Sequence, residues 1–264
     1  MVTATKPKPT LDVSGPVDRM EIKALVSLYY DVQRFRVGGN NRRKALEKQL
    51  STSERLAVAT AHLKSTEEAI AKLIAPVVKD DPLAEWPMSL RGVGPILAAA
   101  LIASGLDPAI DKPSAWWRFA GVGVVDGKNQ RKRRGEKVNY NMFLNKTLYV
   151  LVGSFLKAGD NLYADLYRRF KEESAAGRPD IIPSACKHCD GTGTVDEQEC
   201  NRCGGKGEVG AAIHHHLRAM MLTERVFLTH LQQRWREALG MPPPRVPYIH
   251  AGPDGGLHEL IPAP

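Results

Sequence analysis

No stretch of this chain approaches the roughly 20 apolar residues that a bilayer-spanning helix needs, and no basic-then-apolar leader opens it. Both absences argue against a membrane partner and lead us to expect a cytoplasmic protein. Cysteine is scarce. All four occur in the eighteen-residue stretch from Cys186 to Cys203, which excludes a disulfide framework spread across the fold. Acidic residues are outnumbered, 29 Asp plus Glu against 37 Lys plus Arg, and the resulting charge of +8 with a pI near 9.3 favours polyanionic partners, nucleic acid first. A compact acidic cluster able to clamp metal ions for phosphoryl transfer is also missing. Asp80 and Asp81 adjoin Pro82 at a boundary, and Glu67 and Glu68 fall in a charged helix, so both pairs read as solvent-facing. Ser114 and Ser154 are available hydroxyls, but no candidate base flanks either.

With 43% apolar residues the chain can bury a real core, and its patterning is mainly α-helical. Residues 1–16 carry three prolines and few large apolar side chains, and are expected to be disordered. Residues 17–78 read as a helical hairpin or short coiled coil. Its first helix should end at Gly38-Gly39-Asn40; the second should run from about Asn41 to Ile74, with Leu56, Leu63 and Ile70 spaced by seven as either an internal seam or a homo-oligomer contact. Arg34, Arg36, Arg42, Arg43 and Lys44 cluster where the two helices meet, as a solvated face or a phosphate contact. Pro76, Pro82 and Pro87 then mark a boundary before a second helical region, residues 79–183.

The centre of that region is Leu90 to Leu101, LRGVGPILAAAL. Gly92 and Gly94 allow a tight turn, and Pro95 presets φ at the first position of the next helix, which is the grammar of a helix-hairpin-helix. The N–H groups of Gly92, Val93 and Gly94 are expected to point outward at a helix N-terminus beside Arg91, a natural seat for phosphate. An ordinary helix corner is the plain alternative. Asp111 and Pro113 start a short helix through Trp116, Trp117 and Phe119, read as core, which Gly121 can close. The basic stretch that follows holds Lys128, Arg131, Lys132, Arg133, Arg134 and Lys137. It reads as a loop or ribbon that contacts phosphate, or as a solubilising loop. Helices from Asn141 to Lys157 and Asp160 to Ser174 complete the region.

Residues 184–208 contain CKHCDGTG and CNRCGGKG, two copies of Cys-x-x-Cys-x-Gly-x-Gly. Each pair aims two thiolates at one ion, so Cys186, Cys189, Cys200 and Cys203 should hold one structural Zn²⁺ with no open coordination position. A redox dithiol is the competing reading, although one pair would serve for that. His188 reads as a bystander. A long helix spans residues 209–240, where the consecutive His214, His215 and His216 point too far apart to share a metal. Residues 241–264 are an irregular tail rich in Pro and Gly.

The cysteine repeats resemble part of the zinc-binding region of DnaJ-type chaperones, with two motifs in place of four and no His-Pro-Asp tripeptide. The succession of helical hairpin, LRGVGPILAAAL, WWRFAGVGVVDGK, basic loop, VNYNMFLNKTLY and NLYADLYRRFKEE resembles the C-terminal domain of DEDD-type insertion-sequence transposases. That resemblance implies DNA recombination directed by structured RNA, and it makes the knuckle an insertion between two helices. Family members place an acidic ribonuclease-H-like domain ahead of the hairpin, whereas fewer than ninety residues precede Leu90 here. The family's nucleophilic serine precedes the glycine matched by Gly127, and Asp126 stands there instead.

These features predict a mainly α-helical nucleic-acid-binding protein of mobile-element or phage-like origin, not catalytic alone and braced by one structural zinc. DNA is the expected partner and structured RNA the alternative, with a possible homo-oligomer through the N-terminal helices. The rival readings are an enzyme subunit completed by an acidic partner, a chaperone-like zinc module and a structural assembly protein.

Overall fold

The computed structural model describes residues 18–49, 53–125, 128–130, 132, 135–177, 184–245 and 262–264. Among them the chain forms eight helices and six two-residue strands, a mainly α-helical fold. Asp18 caps α1 (Arg19–Glu47), which pairs with α2 (Glu54–Lys79). The sequence reading breaks α1 at Gly38-Gly39-Asn40, but the helix runs through all three. Gly39 serves contact, not termination: a Cβ there would lie 2.6 Å from Thr60 Cγ2 of α2, so only glycine permits this approach. Leu56 and Leu63 are half-buried and Ile70 is buried in the main core, so at least Ile70 of the heptad positions is used within the chain. Glu67 is another correction. Instead of facing solvent it is buried, accepting hydrogen bonds from Arg36 and Gln33 of α1. Burial pushes its carboxyl pKa up, but the bonds from Arg36 and Gln33 outweigh that and hold it below the ordinary value.

Asp81 caps α3 (Pro82–Ser89), and Pro87 lies inside that helix instead of bounding it. After the turn at residues 90–94 comes α4 (Pro95–Ile102), whose Leu97 to Ile102 are all buried. A helix buried all round needs small side chains where several neighbours converge, and the Ala98-Ala99-Ala100 run lets α1, α2, α3 and α6 reach it. Gly121, left-handed at φ 77°, closes α5 (Pro113–Ala120). Strands β1 (Val124–Val125) and β2 (Lys128–Asn129) form a small antiparallel ribbon. Asn141 and Asn161 then cap α6 (Met142–Ala158) and α7 (Leu162–Ala176).

The last helix, α8 (Ala211–Ala238), packs on α3, α5, α6 and α7. Its Phe227, Leu228, Leu231 and Trp235 join Trp116, Phe155 and Tyr163 in the main core. The indole N–H groups of Trp116, Trp117 and Trp235 all donate to buried or half-buried backbone carbonyls, of Asp107, Arg225 and Leu83, so these large side chains are buried without a stranded donor. Phe119, read as core, is 40% exposed. Along the α7–α8 contact, three hydroxyl groups meet three imidazoles: Tyr163 with His230 at 2.9 Å, Tyr167 with His216 at 2.6 Å, and Ser174 with His215 at 2.9 Å. No helix of the described residues is long and apolar enough to cross a membrane.

Candidate metal centre and nucleic-acid interface

Between α7 and α8 the chain folds into a small knuckle around the four cysteines. Strand β3 (Ser184–Ala185) pairs with β6 (Glu208–Val209) at its base, and β4 (Thr194–Val195) pairs with β5 (Gln198–Glu199) across Asp196 and Glu197, both left-handed. The two Cys-x-x-Cys turns are related as mirror partners in sequence. Cys186 N–H donates to Gly207 O and Cys200 N–H to Gly193 O, both at 2.8 Å. A Cβ on Gly193 would sit 2.3 Å from Gly205 O, and one on Gly207 would sit 2.3 Å from Gly191 O. The last glycine of each repeat is therefore required by the opposite repeat, and both adopt positive φ.

This reciprocal packing brings Cys186, Cys189, Cys200 and Cys203 together, all buried and none in a disulfide. Their sulfur atoms lie within 4.8 Å of one another, with Cys186 to Cys200 at 3.9 Å and Cys189 to Cys203 at 3.7 Å. Tetrahedral coordination at a metal–sulfur distance near 2.3 Å requires sulfur separations of about 3.8 Å. Both of those pairs agree with that spacing, and the four thiols together can hold one metal ion. Burial pushes the Cys203 thiol up to about 11, a tendency that the Gly207 N–H opposes and the neighbouring thiols reinforce. Gly193 N–H donates to Cys189 Sγ at 3.3 Å, the equivalent contact in the first repeat. Four adjacent thiolates need a cation to be stable in such a place. His188 is exposed and outside the cluster, and His215 and His216 are engaged by α7.

Comparison with known protein families and with curated proteins finds no match. The chemistry of this chain has to be read from its own geometry.

The hairpin expectation holds in part. Gly92 takes φ 102° and packs onto α6, where a Cβ would lie 3.1 Å from Ser154 O; Ser154 Oγ in turn donates to Gly92 O. Ser154 therefore fastens the turn. Val93, expected to present its N–H outward, instead buries its side chain and donates its N–H to Leu90 O, because the turn must satisfy that donor internally. No acceptor among the described residues takes the N–H groups of Gly92, Gly94 or Ile96. Arg91 stands beside them, loosely paired with the exposed Asp160 at 3.9 Å. Lys157, on the last turn of α6, was missed; its only sequence signal is its place three residues after Ser154.

In the basic segment Lys128 lies on β2, and Lys132 and Lys137 are exposed. Arg131, Arg133 and Arg134, together with Asp126 and Gly127, lie outside the described residues. The ribbon's base is set from beneath by Arg225, whose Nε donates to Val122 O. Hairpin and ribbon are not neighbours. The hairpin turn rests on Ser154 near the end of α6, while Asn141 N–H at its start binds Phe119 O below the ribbon. Thirteen residues of helix separate those contacts, roughly 20 Å at 1.5 Å per residue. They can serve one polyanion at two places, never one phosphate. The arginine cluster near α1 and α2 contributes less than its composition suggests, since Arg34, Arg36 and Arg43 pair with Asp31, Glu67 and Glu47.

Proposed function

We propose that this protein binds nucleic acid, DNA in the first instance and structured RNA as the alternative, and that its knuckle holds one structural Zn²⁺. The observation that carries the binding reading is the half-buried start of α4, where the unpaired N–H groups of Gly94 and Ile96 line one cleft with Lys157, with Arg91 in the turn just before. Donors at a helix N-terminus suit a phosphate oxygen. The chain's charge of +8 supplies long-range attraction. The ribbon lysines extend contact to a second position, about six base steps away on a duplex rising 3.4 Å per step. Zinc is favoured by the donor set, since four thiolates at tetrahedral spacing leave no site for a substrate. We include in the proposal kinship with the C-terminal domain of DEDD-type transposases, acting here without strand cleavage.

Binding measured against salt tests this reading. A duplex should bind with a log–log slope near 0.9 per phosphate neutralised. Exchanging Arg91 and Lys157 for Gln should remove about two such contacts, and exchanging Lys128, Arg131, Lys132, Arg133, Arg134 and Lys137 should flatten the slope further. Unchanged slopes in both variants would dismiss the two surfaces. Nicking of supercoiled DNA by the purified chain with Mg²⁺, lost on Asp126→Ala, would restore the recombinase.

A further inference from the structure

Where α1, α4 and α6 converge, the surface opens into a cleft of about 340 Å³, within the size range of small-ligand sites. Tyr29 and Tyr30 of α1 form one wall, Val150 and Lys157 of α6 another, and the first turn of α4, with Gly94 and Ile96, closes the end. The walls are aromatic and aliphatic. Most of the polar groups inside are already engaged: Ser154 Oγ with Gly92 O, and Gln33 Nε2 with Glu67. What stays available includes three donors, the Lys157 ammonium and the Gly94 and Ile96 N–H groups, together with the Tyr30 hydroxyl. Lys146, outside the lining, holds a second ammonium 5.2 Å from the centre of the Tyr30 ring.

Aromatic side chains with ammonium and N–H donors beside them complement a planar ring that carries an anionic group. We infer that the cleft takes one unpaired nucleotide of a bound strand, its base lodged between the tyrosine and Val150 walls and its phosphate against Gly94, Ile96 and Lys157. The inference rests on the nucleic-acid reading above and narrows it to strands with unpaired bases. A base held in a continuous duplex is stacked and paired and cannot enter a slot, whereas single strands offer splayed bases to aromatic walls. A duplex meets only the rim, through its phosphates.

Gly94 makes this testable without disturbing the fold. Its φ of −106° suits any residue, and a Cβ there meets nothing within 4 Å. Gly94→Gln therefore adds a side chain at the cleft lining while keeping every backbone donor. The probes are a fluorescent 15-nucleotide oligothymidylate and a blunt duplex of equal length, titrated by anisotropy at low salt. The loss of one stacked base corresponds to roughly tenfold in affinity. We expect Gly94→Gln to weaken the single strand about ten times more than it weakens the duplex, and Lys157→Gln to weaken both alike. Equal single-strand binding by wild type and Gly94→Gln, or equal losses on both probes, overturns the cleft assignment and leaves nucleic-acid binding standing. Wild-type protein that binds neither probe overturns both.

Discussion

Glu224 is a carboxyl group enclosed on the core side of α8, 6% exposed, one turn from Phe227 and two from Leu231. No hydrogen bond to it forms among the described residues. Burial pushes its pKa up to about 8, with Arg225 pulling weakly the other way. The consequence for stability has a definite sign. Below about pH 4.5 the group is protonated folded or unfolded; between there and about pH 8 only the unfolded chain releases the proton, so stability falls as pH rises. Glu224→Gln should match wild type near pH 4.5 and exceed it near pH 8 by roughly 3 kcal/mol, read by urea denaturation of the metal-loaded protein. A variant that is weaker at both pH values would mean that the carboxylate is used. Gly193 makes a second residue-scale case. Gly193→Ala forces a methyl against Gly205 O and should abolish metal retention, whereas Gly204→Asn, with open space and a left-handed backbone that Asn tolerates, should keep it. Metal content after gel filtration separates the two.

Between elements, Gly39 shows how a residue can mislead when read along the chain. Two consecutive glycines look like a helix end because glycine weakens helices by about 1 kcal/mol against alanine. The close α1–α2 contact that overrides this preference involves Thr60, twenty-one positions away, and no local pattern reports it. Gly39→Ala should therefore destabilise the protein by about 1 to 2 kcal/mol despite its better helix propensity. Adding Thr60→Ser, which removes the obstructing methyl, should recover the loss. Chemical denaturation of both single variants and the double variant checks the coupling, and additive effects would refute the contact. The same contrast runs through the rest of the chain. The helix start at Asn141 and the closure at Gly121 act on their own neighbours and were legible, as were the four cysteines, whose spacing carries their geometry. The burial of Glu67 and the role of Ser154 depend on partners from distant helices, so spacing held no trace of them.

Across the whole molecule, the four-cysteine cluster lies beyond the helical core instead of inside it. The core cluster joins α1 through α8, while the cysteines form a separate one against which Val195 and Val209 pack. Chelation should therefore expose residues 184–209 to hydrogen exchange while the segments around Leu101, Leu148 and Leu228 stay protected. Protein purified without added metal should contain zinc near one equivalent per chain. Global unfolding on chelation would show that the knuckle supports the body as well as itself. The knuckle's reciprocal bonds have one more consequence. Each repeat is half of a coordination shell, and its complement is a near copy of itself. With Cys200 and Cys203 changed to Ser, a chain keeps one intact half and lacks its match, but a neighbouring chain carries that match. Such molecules should join in twos across a shared ion, with half an equivalent of metal apiece, so the number of cysteine pairs per chain determines whether this ion closes a loop or bridges two subunits.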